Sequence, residues 1–443
     1  MRALELSIEK LVYGGDGLSR LPADEHGRGK TVFVPFVIPG ERVEATVTES
    51  RPGFARARLN QILTPSPERV APQCPYFGRC GGCQYQHIGY EAQVRFKAEI
   101  LRETLRRTAK LELETEIQLH GSEPWQYRNR TRVRVQHGPA FALGYFWANS
   151  HKLLPVERCP ISSALINRCF GAVWELGRAG QVPKNVHGMQ FFANHDDSQL
   201  LVEVYIPPQA SAQDCQGLAG ALRAALAEIA GVVIFPASPV EEETRQLAPL
   251  SSVHSEPSLA IGHDRLTYHA VGHNYQVSGG SFFQTNRLLI DDLVKVAVGH
   301  GQGNAALDLY AGVGLFTVPL AGNFREVTAV EASPYAIADL KHNAPENVKA
   351  VCATTEAFLQ QQGASLKPEV VLLDPPRAGL GEKATKALCR TSASHVTYVS
   401  CDPATLSRDL RLLLESGFKV EQAHLFDLFP QTAHMETVLH LLR

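Results

Sequence analysis

The chain has 443 residues, of which 44% are hydrophobic and 20% charged, as in ordinary soluble globular proteins. No apolar run is long enough to span a bilayer, which excludes an integral membrane protein, and the length predicts two to four domains. The net charge of −2 is unevenly divided: residues 1–160 hold 23 Lys+Arg against 17 Asp+Glu (+6), so the remainder holds 20 against 28 (−8). A basic front part favours contact with a polyanion.

The start of the chain and its cysteines indicate the compartment. The N-terminal segment lacks the apolar core of a signal peptide, so we expect a cytoplasmic protein. Nine cysteines in such a chain argue against a disulfide scaffold. No sequence feature indicates a membrane or an obligate protein partner.

Residues 1–62 have the pattern of a small all-β unit. Short strands are predicted at 4–9, 31–34 and 42–47, with a glycine-rich turn at 14–17. This spacing predicts a small barrel, a shape that often binds nucleic acid through its loops and one face. The run from Gly14 to Arg20, followed by Val37-Ile38-Pro39-Gly40-Glu41, resembles the TRAM domain of RNA-modifying enzymes. Three arginines are candidates for phosphate contacts or for solvated surface: Arg51, Arg56 and Arg58.

Three cysteines lie within ten residues of one another and could share one metal centre. They are Cys74, Cys80 and Cys83, with a Gly-Gly pair between the last two. A closed four-sulfur site needs a fourth ligand, and Cys159, which is followed by Pro160, is the best candidate. Spacing alone leaves zinc and a [4Fe–4S] cluster both open.

Two basic segments follow the cysteines. Residues 91–110 are predicted to form an amphipathic helix whose basic side chains, Lys97 among them, surround an apolar stripe and face solvent. In the extended segment 127–135, alternation places four arginines on one face: Arg128, Arg130, Arg132 and Arg134. They repel one another unless RNA phosphates or an internal salt-bridge ladder neutralises them. Residues 236–257, rich in Pro, Glu and Ser, are predicted to be an exposed loop or hairpin.

From residue 276 the pattern is that of a doubly wound α/β domain. The apolar strand before Asp308 leads into a glycine loop at Gly312 and then into a helix, so that backbone N–H groups can approach a ligand. A second strand ends in Glu331 about 20 residues further on, where a carboxylate suits a ribose diol. Two further strands end at Asp374 and Cys401. Because ligands bind outside the carboxyl ends of such strands, we expect these side chains to converge on one crevice.

The ordered set of motifs resembles one family across essentially the whole chain: the S-adenosylmethionine-dependent RNA (uracil-C5) methyltransferases with a TRAM domain and a [4Fe–4S] cluster. The matching motifs are Cys74-x5-Cys80-Gly-Gly-Cys83 with Cys159, Ser281-Phe-Phe-Gln284-Thr-Asn286, Asp308-Leu-Tyr310-Ala-Gly312-Val-Gly314, Asp374-Pro-Pro-Arg377, Ser400-Cys401-Asp-Pro and His434-Met-Glu436. The resemblance implies an α/β fold with an N-terminal OB-like barrel (1–62, RNA binding). It also implies a central α+β iron–sulfur domain with RNA contacts (63–275) and a C-terminal Rossmann-like methyltransferase domain (276–443).

The resemblance also implies residue roles. Cys401 is expected to add to C6 of uracil, which makes C5 nucleophilic enough to take a methyl group from S-adenosylmethionine, and Glu436 to remove the C5 proton afterwards. Glu331 is expected to bind the cofactor ribose, and Asp374 the cofactor or the target base. The whole expected cofactor set is Gln284, Tyr310, Gly312, Glu331 and Asp374. The expected ligands of a structural cluster are Cys74, Cys80, Cys83 and Cys159.

Two positions depart from the family pattern. Leu315 stands where members often have Asn, so one polar cofactor contact is missing or replaced. The adenine contact, usually an Asp or Asn, falls on Thr354 or Glu356. The target base must be single-stranded or flipped out to reach Cys401. Candidate stacking residues are Phe282, Phe283 and Phe429.

Alternative functions stay open. The combination of cluster and TRAM domain is more typical of members that act on 23S ribosomal RNA, and methylation of the tRNA T-loop is the alternative. A non-catalytic RNA-binding or iron–sulfur sensor protein is a third hypothesis, against which the pair Cys401 and Glu436 argues. Radical enzymes that cleave S-adenosylmethionine have a Cys-x3-Cys-x2-Cys loop, and the x5 spacing here argues against them.

Overall fold

The computed structural model describes residues 3–21, 29–237, 256–299, 301–363 and 365–443. The predicted exposed loop or hairpin at 236–257 therefore lies largely outside the described residues. Three large sheets follow one another along the chain. Within the described ranges, no helix combines the length and apolar character that crossing a membrane requires.

The N-terminal sheet consists of β1 (Ala3–Ser7), β2 (Lys10–Leu11), β3 (Gly17–Arg20), β4 (Thr31–Val34), β5 (Arg42–Arg51) and β6 (Phe54–Thr64). The strands lie in the order β1-β5-β6-β4-β3-β2, and the sheet curls around a small apolar core. Val32 and Val34 alternate with half-buried residues along β4 and point into that core. The predicted strands at 31–34 and 42–47 are confirmed.

The middle of the chain begins with α1 (Tyr90–Thr104), a π-helical turn (Leu105–Ala109) and β7 (Ile117–His120). A seven-stranded, mostly antiparallel sheet follows, in the order β10-β9-β8-β11-β12-β13-β14. Its strands are β8 (Arg130–Gln136), β9 (Ala142–Phe146), β10 (Leu153–Pro155), β11 (Gly188–Ala193), β12 (Leu200–Ile206), β13 (Ile229–Pro236) and β14 (Leu259–Gly262). The sheet packs on α2 (Ala164–Arg178), a 3₁₀ turn (Ala212–Cys215) and α3 (Gln216–Ala225). The hairpin β15 (Arg265–Ala270) and β16 (His273–Ser278) leads to the C-terminal part.

The C-terminal sheet is doubly wound, in the order β19-β18-β17-β20-β21-β23-β22-β7. Its further strands are β17 (Gly303–Leu309), β18 (Phe324–Glu331), β19 (Val348–Cys352), β20 (Val370–Leu373), β21 (His395–Ser400), β22 (Lys419–Phe426) and β23 (Glu436–Leu442). The helices are α4 (Ile290–Val298), α5 (Thr317–Asn323), α6 (Pro334–Asn343), α7 (Thr355–Gln362), α8 (Glu382–Cys389) and α9 (Pro403–Glu415). Strands β17 to β21 are parallel and β23 is antiparallel to β21, so the predicted α/β fold is confirmed.

Helix α1 and strand β7 pack with this C-terminal sheet, although their residues lie in the range predicted as the central domain. Strand β7 pairs in parallel with β22. Ile100 and Leu101 of α1 belong to the same hydrophobic core as Leu410 and Leu439. The predicted boundaries at 62/63 and 275/276 stay a prediction, and the packing of the chain crosses the second of them.

Helix α1 also holds the loop that precedes β23. Lys97, predicted to face solvent, is fully buried: its Nζ lies 2.6 Å from Oδ1 of Asp427 and donates to the Phe429 carbonyl at 3.2 Å. Gln93, one turn earlier, accepts the backbone N–H of Gln431 at 2.9 Å and donates to its Oε1 at 3.0 Å. The prediction for Lys97 was wrong because its partner lies 330 residues away, where helical periodicity carries no information.

Candidate active site

A cavity of about 1140 Å³ opens at the carboxyl ends of the parallel strands. Its wall includes Tyr310 after β17, Glu331 at the end of β18, Asp374 after β20 and Cys401 after β21. These residues meet because the carboxyl ends of parallel strands share one edge of a sheet. All the predicted catalytic, cofactor and thiol residues line this cavity.

One end of the cavity is a cradle of backbone N–H groups around Glu331. Its carboxylate accepts the Gly312 N–H at 2.9 Å and the Ser333 N–H at 2.7 Å. Gly312 has φ +56°, and a side chain there would point into open space. Tyr310 also adopts a left-handed φ of +63°, a strained conformation for a tyrosine that is typical of ligand sites. The turn therefore presents the backbone at Gly312 and the carboxylate of Glu331 to a ligand with hydroxyl groups.

One expectation about this end needs correction. Asp308 does not reach the cavity wall: it is fully buried below the turn, where it accepts the Thr317 hydroxyl, and burial raises its pKa to about 7. Leu315 lies in the hydrophobic core, and its carbonyl accepts the Tyr275 hydroxyl at 3.2 Å. Leu315 is thus a packing residue in this chain, away from the polar contacts of the cavity.

The two candidates for an adenine contact both line the cavity. The Thr354 hydroxyl already accepts the Ala357 N–H at 3.2 Å, as the N-cap of α7. The Glu356 carboxylate accepts from Gln360 at 3.1 Å. Both side chains keep free acceptor capacity, so the geometry does not choose between them.

A second group of side chains forms the centre of the cavity. Nε2 of Gln284 donates to Oδ2 of Asp374 at 3.3 Å. Burial raises the pKa of Asp374 to about 7, although the bond from Gln284 lowers it. Burial, followed by the charge of Asp374, raises the pKa of Glu436 well above its usual value. Oε1 of Glu436 is buried without a hydrogen-bond partner among the described residues, so this carboxyl is available to a substrate.

Cys401 stands across from Glu436 on the neighbouring strand. Ser400 pairs with Thr437 in the antiparallel register of β21 and β23, which places Cys401 opposite Glu436. Burial, then the carboxyls of Glu436 and Asp374, raise the pKa of the Cys401 thiol, while Arg377 lowers it. The thiol is therefore protonated in the free protein. It becomes a nucleophile when it loses its proton, for example to a carboxylate, and Arg377 stabilises the resulting thiolate.

Arg377 and His434 complete this part of the wall, and no role was predicted for them beyond their place in the motifs. Nη2 of Arg377 lies 3.4 Å from Nε2 of His434. Burial, then the charge of Arg377, lowers the pKa of His434 to about 3, so the imidazole is neutral. Their motifs, Asp374-Pro-Pro-Arg377 and His434-Met-Glu436, carried the only sequence signal for these two residues.

The four predicted ligand cysteines line the far end of the same cavity. Burial, with smaller contributions that include the neighbouring Cys159 and Cys74, raises the pKa of Cys80 to about 11. Trp147, directly after β9, holds the Cys80 loop through an isolated bridge, and Oδ1 of Asn167 accepts the Cys159 N–H at 2.8 Å. Within the described residues no group of three His, Cys, Asp or Glu side chains has the geometry for a single metal ion.

The four arginines of the 127–135 segment do not act as one set. Arg130 is buried, with Nη2 3.4 Å from Glu203, so an internal ion pair compensates its charge. Two others lie over aromatic rings of the fold: Arg132 and Arg134. Arg128 and Arg132 line the cavity, together with the exposed Arg158. Of the predicted stacking residues, Phe282 and Phe429 line the cavity and Phe283 lies in the core.

The proteins that this chain resembles are RNA methyltransferases by their printed names. The family model described as tRNA (Uracil-5-)-methyltransferase matches residues 89–443, and the TRAM domain model matches residues 2–59. The 23S rRNA (uracil(1939)-C(5))-methyltransferase RlmD of Halomonas elongata is 33% identical, covering 99% of this chain and 89% of its own. An uncharacterized RNA methyltransferase of Aquifex aeolicus is 31% identical, covering 99% and 98%. The structure of Pyrococcus abyssi tRNA (uracil-54, C5)-methyltransferase in complex with S-adenosyl-L-homocysteine is similar in fold (TM-score 0.73, 22% identity, covering 99% and 100%).

Proposed function

This chain belongs to the S-adenosylmethionine-dependent RNA (uracil-C5) methyltransferases, and we propose that it methylates a uridine of 23S ribosomal RNA through a covalent adduct at Cys401. The family and enzyme class predicted from the motifs are thereby confirmed. One observation carries the proposal: Cys401 and Glu436 line one cavity at adjoining strand ends, and among the described residues Oε1 of Glu436 is buried without a hydrogen-bond partner. The cytoplasm is the proposed site of action.

Cys401 is the proposed nucleophile. The thiol first loses its proton to solvent or to a neighbouring carboxylate; the thiolate Sγ then adds to C6 of uracil, the S–C6 bond forms, and the electrons of the C5=C6 double bond make C5 an enolate-like carbon. Arg377 stabilises the thiolate electrostatically, since it is the cation that lowers the pKa of Cys401. Gln284 and Asp374 lie beside the reacting thiol and could bind the polar edge of the base.

Glu436 is the proposed base for the second half of the reaction. Once C5 carries the methyl group, Glu436 takes the C5 proton, the S–C6 bond breaks, and the C5=C6 double bond re-forms. Burial, followed by the charge of Asp374, raises the pKa of Glu436 well above its usual value, which makes the ionised carboxylate a stronger base. Cys401 is released as the thiolate and can begin another turnover.

S-adenosylmethionine supplies the methyl group as a sulfonium-bound electrophile. The proposed binding residues are those of the cradle: Gly312 and Tyr310 through the turn, Glu331 towards the ribose, and Thr354 or Glu356 towards the adenine. The fit rests on the two N–H bonds that fix the Glu331 carboxylate and on the open space beside Gly312.

A [4Fe–4S] cluster is the proposed partner of the four thiols. Four cysteines from two segments around one cavity are a soft donor set of the kind that binds iron–sulfur clusters or zinc. Bound there, the cluster would supply a rigid cross-link between the 74–83 loop and Cys159. No electron transfer is required of it.

The choice of 23S ribosomal RNA rests on the relative from Halomonas elongata, whose printed name gives that substrate and which spans 99% of this chain. The TRAM domain and the arginines at the cavity mouth, Arg128, Arg132 and Arg158, are suited to an RNA backbone. Phe282 and Phe429, which line the cavity, are the proposed residues that stack on a flipped base.

The test is mass mapping of 5-methyluridine in ribosomal RNA and tRNA from cells with and without the gene. We expect loss of one 5-methyluridine from 23S ribosomal RNA, restored by the wild-type gene and not by Cys401→Ala. If only the tRNA T-loop changes, the reaction stands and the ribosomal substrate is wrong. If no 5-methyluridine changes, the proposed function is wrong.

A further inference from the structure

We propose that the β2–β3 turn of the N-terminal barrel, residues 12–16, is a positioning element of the active site, with Tyr13 directing the Cys401 loop and Gly15 the Glu436 loop. The inference rests on the proposed function and goes beyond it, because it gives the TRAM domain a role in the chemical steps besides RNA binding. The turn itself is closed by the Val12 N–H on the Asp16 carbonyl at 2.9 Å.

Tyr13 contacts the segment that carries the nucleophile. Its hydroxyl donates to Oδ2 of Asp402 at 3.2 Å and approaches the Cys401 carbonyl at 3.5 Å. The other carboxylate oxygen of Asp402 accepts the N–H groups of Ala404 and Thr405 at 3.0 and 2.9 Å, as the N-cap of α9. Tyr13 therefore completes the hydrogen bonding of the residue that follows the nucleophile, and it does so from another domain.

Gly15 contacts the segment that carries the base. A Cβ atom on Gly15 would lie 2.9 Å from Cβ of Gln84 and 3.3 Å from Cβ of Ala433. Gln84 in turn accepts the Ala433 N–H at 3.1 Å and donates its own N–H to the Gln431 carbonyl at 3.1 Å. Because a Cβ atom is fixed to the backbone, these neighbours can only move with their chain segments. The bare glycine thus allows the barrel to close against the loop that leads to Glu436.

The two contacts lie within one short turn, and each reaches a different half of the reaction. The Tyr13 contact bears on the thiol that attacks C6, and the Gly15 contact on the carboxyl that later removes the C5 proton. Small displacements of reacting groups cost large factors in rate. We therefore expect substitutions in the turn to separate the formation of the adduct from its resolution.

The first experiment measures adduct formation with RNA that carries 5-fluorouridine. With S-adenosylmethionine present, C5 gains the methyl group but carries fluorine in place of the proton; because fluorine cannot leave as a cation, the Cys401 adduct persists and appears as a shifted band on a denaturing gel. Tyr13→Phe should slow adduct formation about fivefold at saturating RNA, the factor of one hydrogen bond. RNA affinity, measured by filter binding, should stay unchanged.

The matched control is Tyr85→Phe. The Tyr85 hydroxyl is buried without a hydrogen-bond partner among the described residues, so the same chemical change removes no bond. An adduct rate for Tyr13→Phe that equals the rate of Tyr85→Phe overturns the role of Tyr13. A loss of RNA affinity with an unchanged adduct rate overturns it as well, because it assigns Tyr13 to binding.

The second experiment compares Gly15→Ala with Gly14→Ala on normal RNA. Both glycines have the same left-handed backbone, φ +102° and +101°, so alanine strains both equally. Only at Gly15 does the new Cβ meet other residues, since none lies within 4 Å at Gly14. Gly15→Ala should slow resolution about tenfold, so that methylated covalent adduct accumulates, while Gly14→Ala should not.

Equal behaviour of the two alanine variants overturns the role of Gly15, because turn strain would then explain both. Thermal unfolding of each variant separates a loss of fold from a loss of positioning. If the wild-type protein forms no adduct with any fluorinated RNA, the proposed function fails. If the wild type forms the adduct and the turn variants match their controls, only the present inference fails.

Discussion

Glu436 begins β23 and Cys401 directly follows β21, one register step beyond the last pair of the two strands, Ser400 with Thr437. The two side chains share one cavity wall, and each is protonated more readily than usual, since burial raises both pKa values. The carboxyl also raises the pKa of the thiol through its charge. A thiol that adds to C6 and a base that acts at C5 must reach adjacent atoms of one ring, and both groups line one cavity at adjoining strand ends.

The first prediction separates the roles of the two residues. Cys401→Ala should abolish both methylation and covalent RNA adduct, because no nucleophile remains. Glu436→Gln should lower turnover by at least about a hundredfold while a methylated adduct accumulates, because the C5 proton is no longer removed. Denaturing gels of RNA with a radioactive methyl group measure both quantities.

The control for this prediction is Cys389→Ala, which alters a half-buried cysteine outside the cavity. It should leave turnover and adduct chemistry unchanged. If Glu436→Gln abolishes the adduct in the way that Cys401→Ala does, Glu436 acts before or during the attack on C6, and its proposed role is wrong.

The second prediction concerns pH. Burial, and after it the charge of Asp374, raises the pKa of Glu436, so protonation of Glu436 should limit turnover on the acidic side. In Asp374→Asn this charge is absent, and the acidic limb of the kcat profile should move to lower pH by about one unit. Single-turnover rates between pH 5 and 9 measure the shift, whatever the absolute loss of activity.

A surface carboxyl provides the comparison for the pH profile. Glu382→Gln removes a charge that is paired with Lys386 at 2.6 Å on the exposed face of α8. Its acidic limb should coincide with that of the wild type. If the acidic limb of the kcat profile of Asp374→Asn coincides with that of the wild type, a group other than Glu436 limits turnover at low pH.

Strand-end positions of the site could be predicted from the sequence. Runs of apolar residues end at Glu331, Asp374 and Cys401, and the rule that parallel strands share a carboxyl edge brings those ends together. Glu436 is the first residue of the antiparallel strand β23, so the rule for carboxyl ends of parallel strands does not apply to it. Only the motif indicated Glu436. The fold class followed from the same alternation of strands and helices.

Contacts between distant segments could not be predicted in this way. The helical pattern placed Lys97 in solvent because its charge fits a helix surface, whereas its partner Asp427 is on a loop near the C-terminus. Asp308 lies within β17 at the level of Ala329, two residues short of the position of Glu331, and its carboxylate accepts the Thr317 hydroxyl below the loop. Position along a strand shows which edge a residue approaches and leaves open which way its side chain points.

The third prediction concerns the buried ion pair of Lys97 and Asp427. Lys97→Met should destabilise the protein by about 3–5 kcal/mol, because it leaves a buried carboxylate without its cation. Urea unfolding, followed by fluorescence, measures the change. The double variant Lys97→Met/Asp427→Leu should recover most of the loss, since it leaves no buried charge unpaired. If single and double variants are equally unstable, packing rather than charge explains the effect.

The fourth prediction concerns the metal. Protein prepared under anaerobic conditions should contain about four iron and four sulfide per chain if the thiols hold the proposed cluster. Cys159→Ser should lose most of the iron and lower the thermal stability, because Cys159 is the only proposed ligand outside the 74–83 loop. Cys352→Ser changes an exposed cysteine and should retain the full iron content. One zinc per chain without sulfide would contradict the cluster while keeping the four-thiol site, and a metal content unaffected by Cys159→Ser would contradict the site itself.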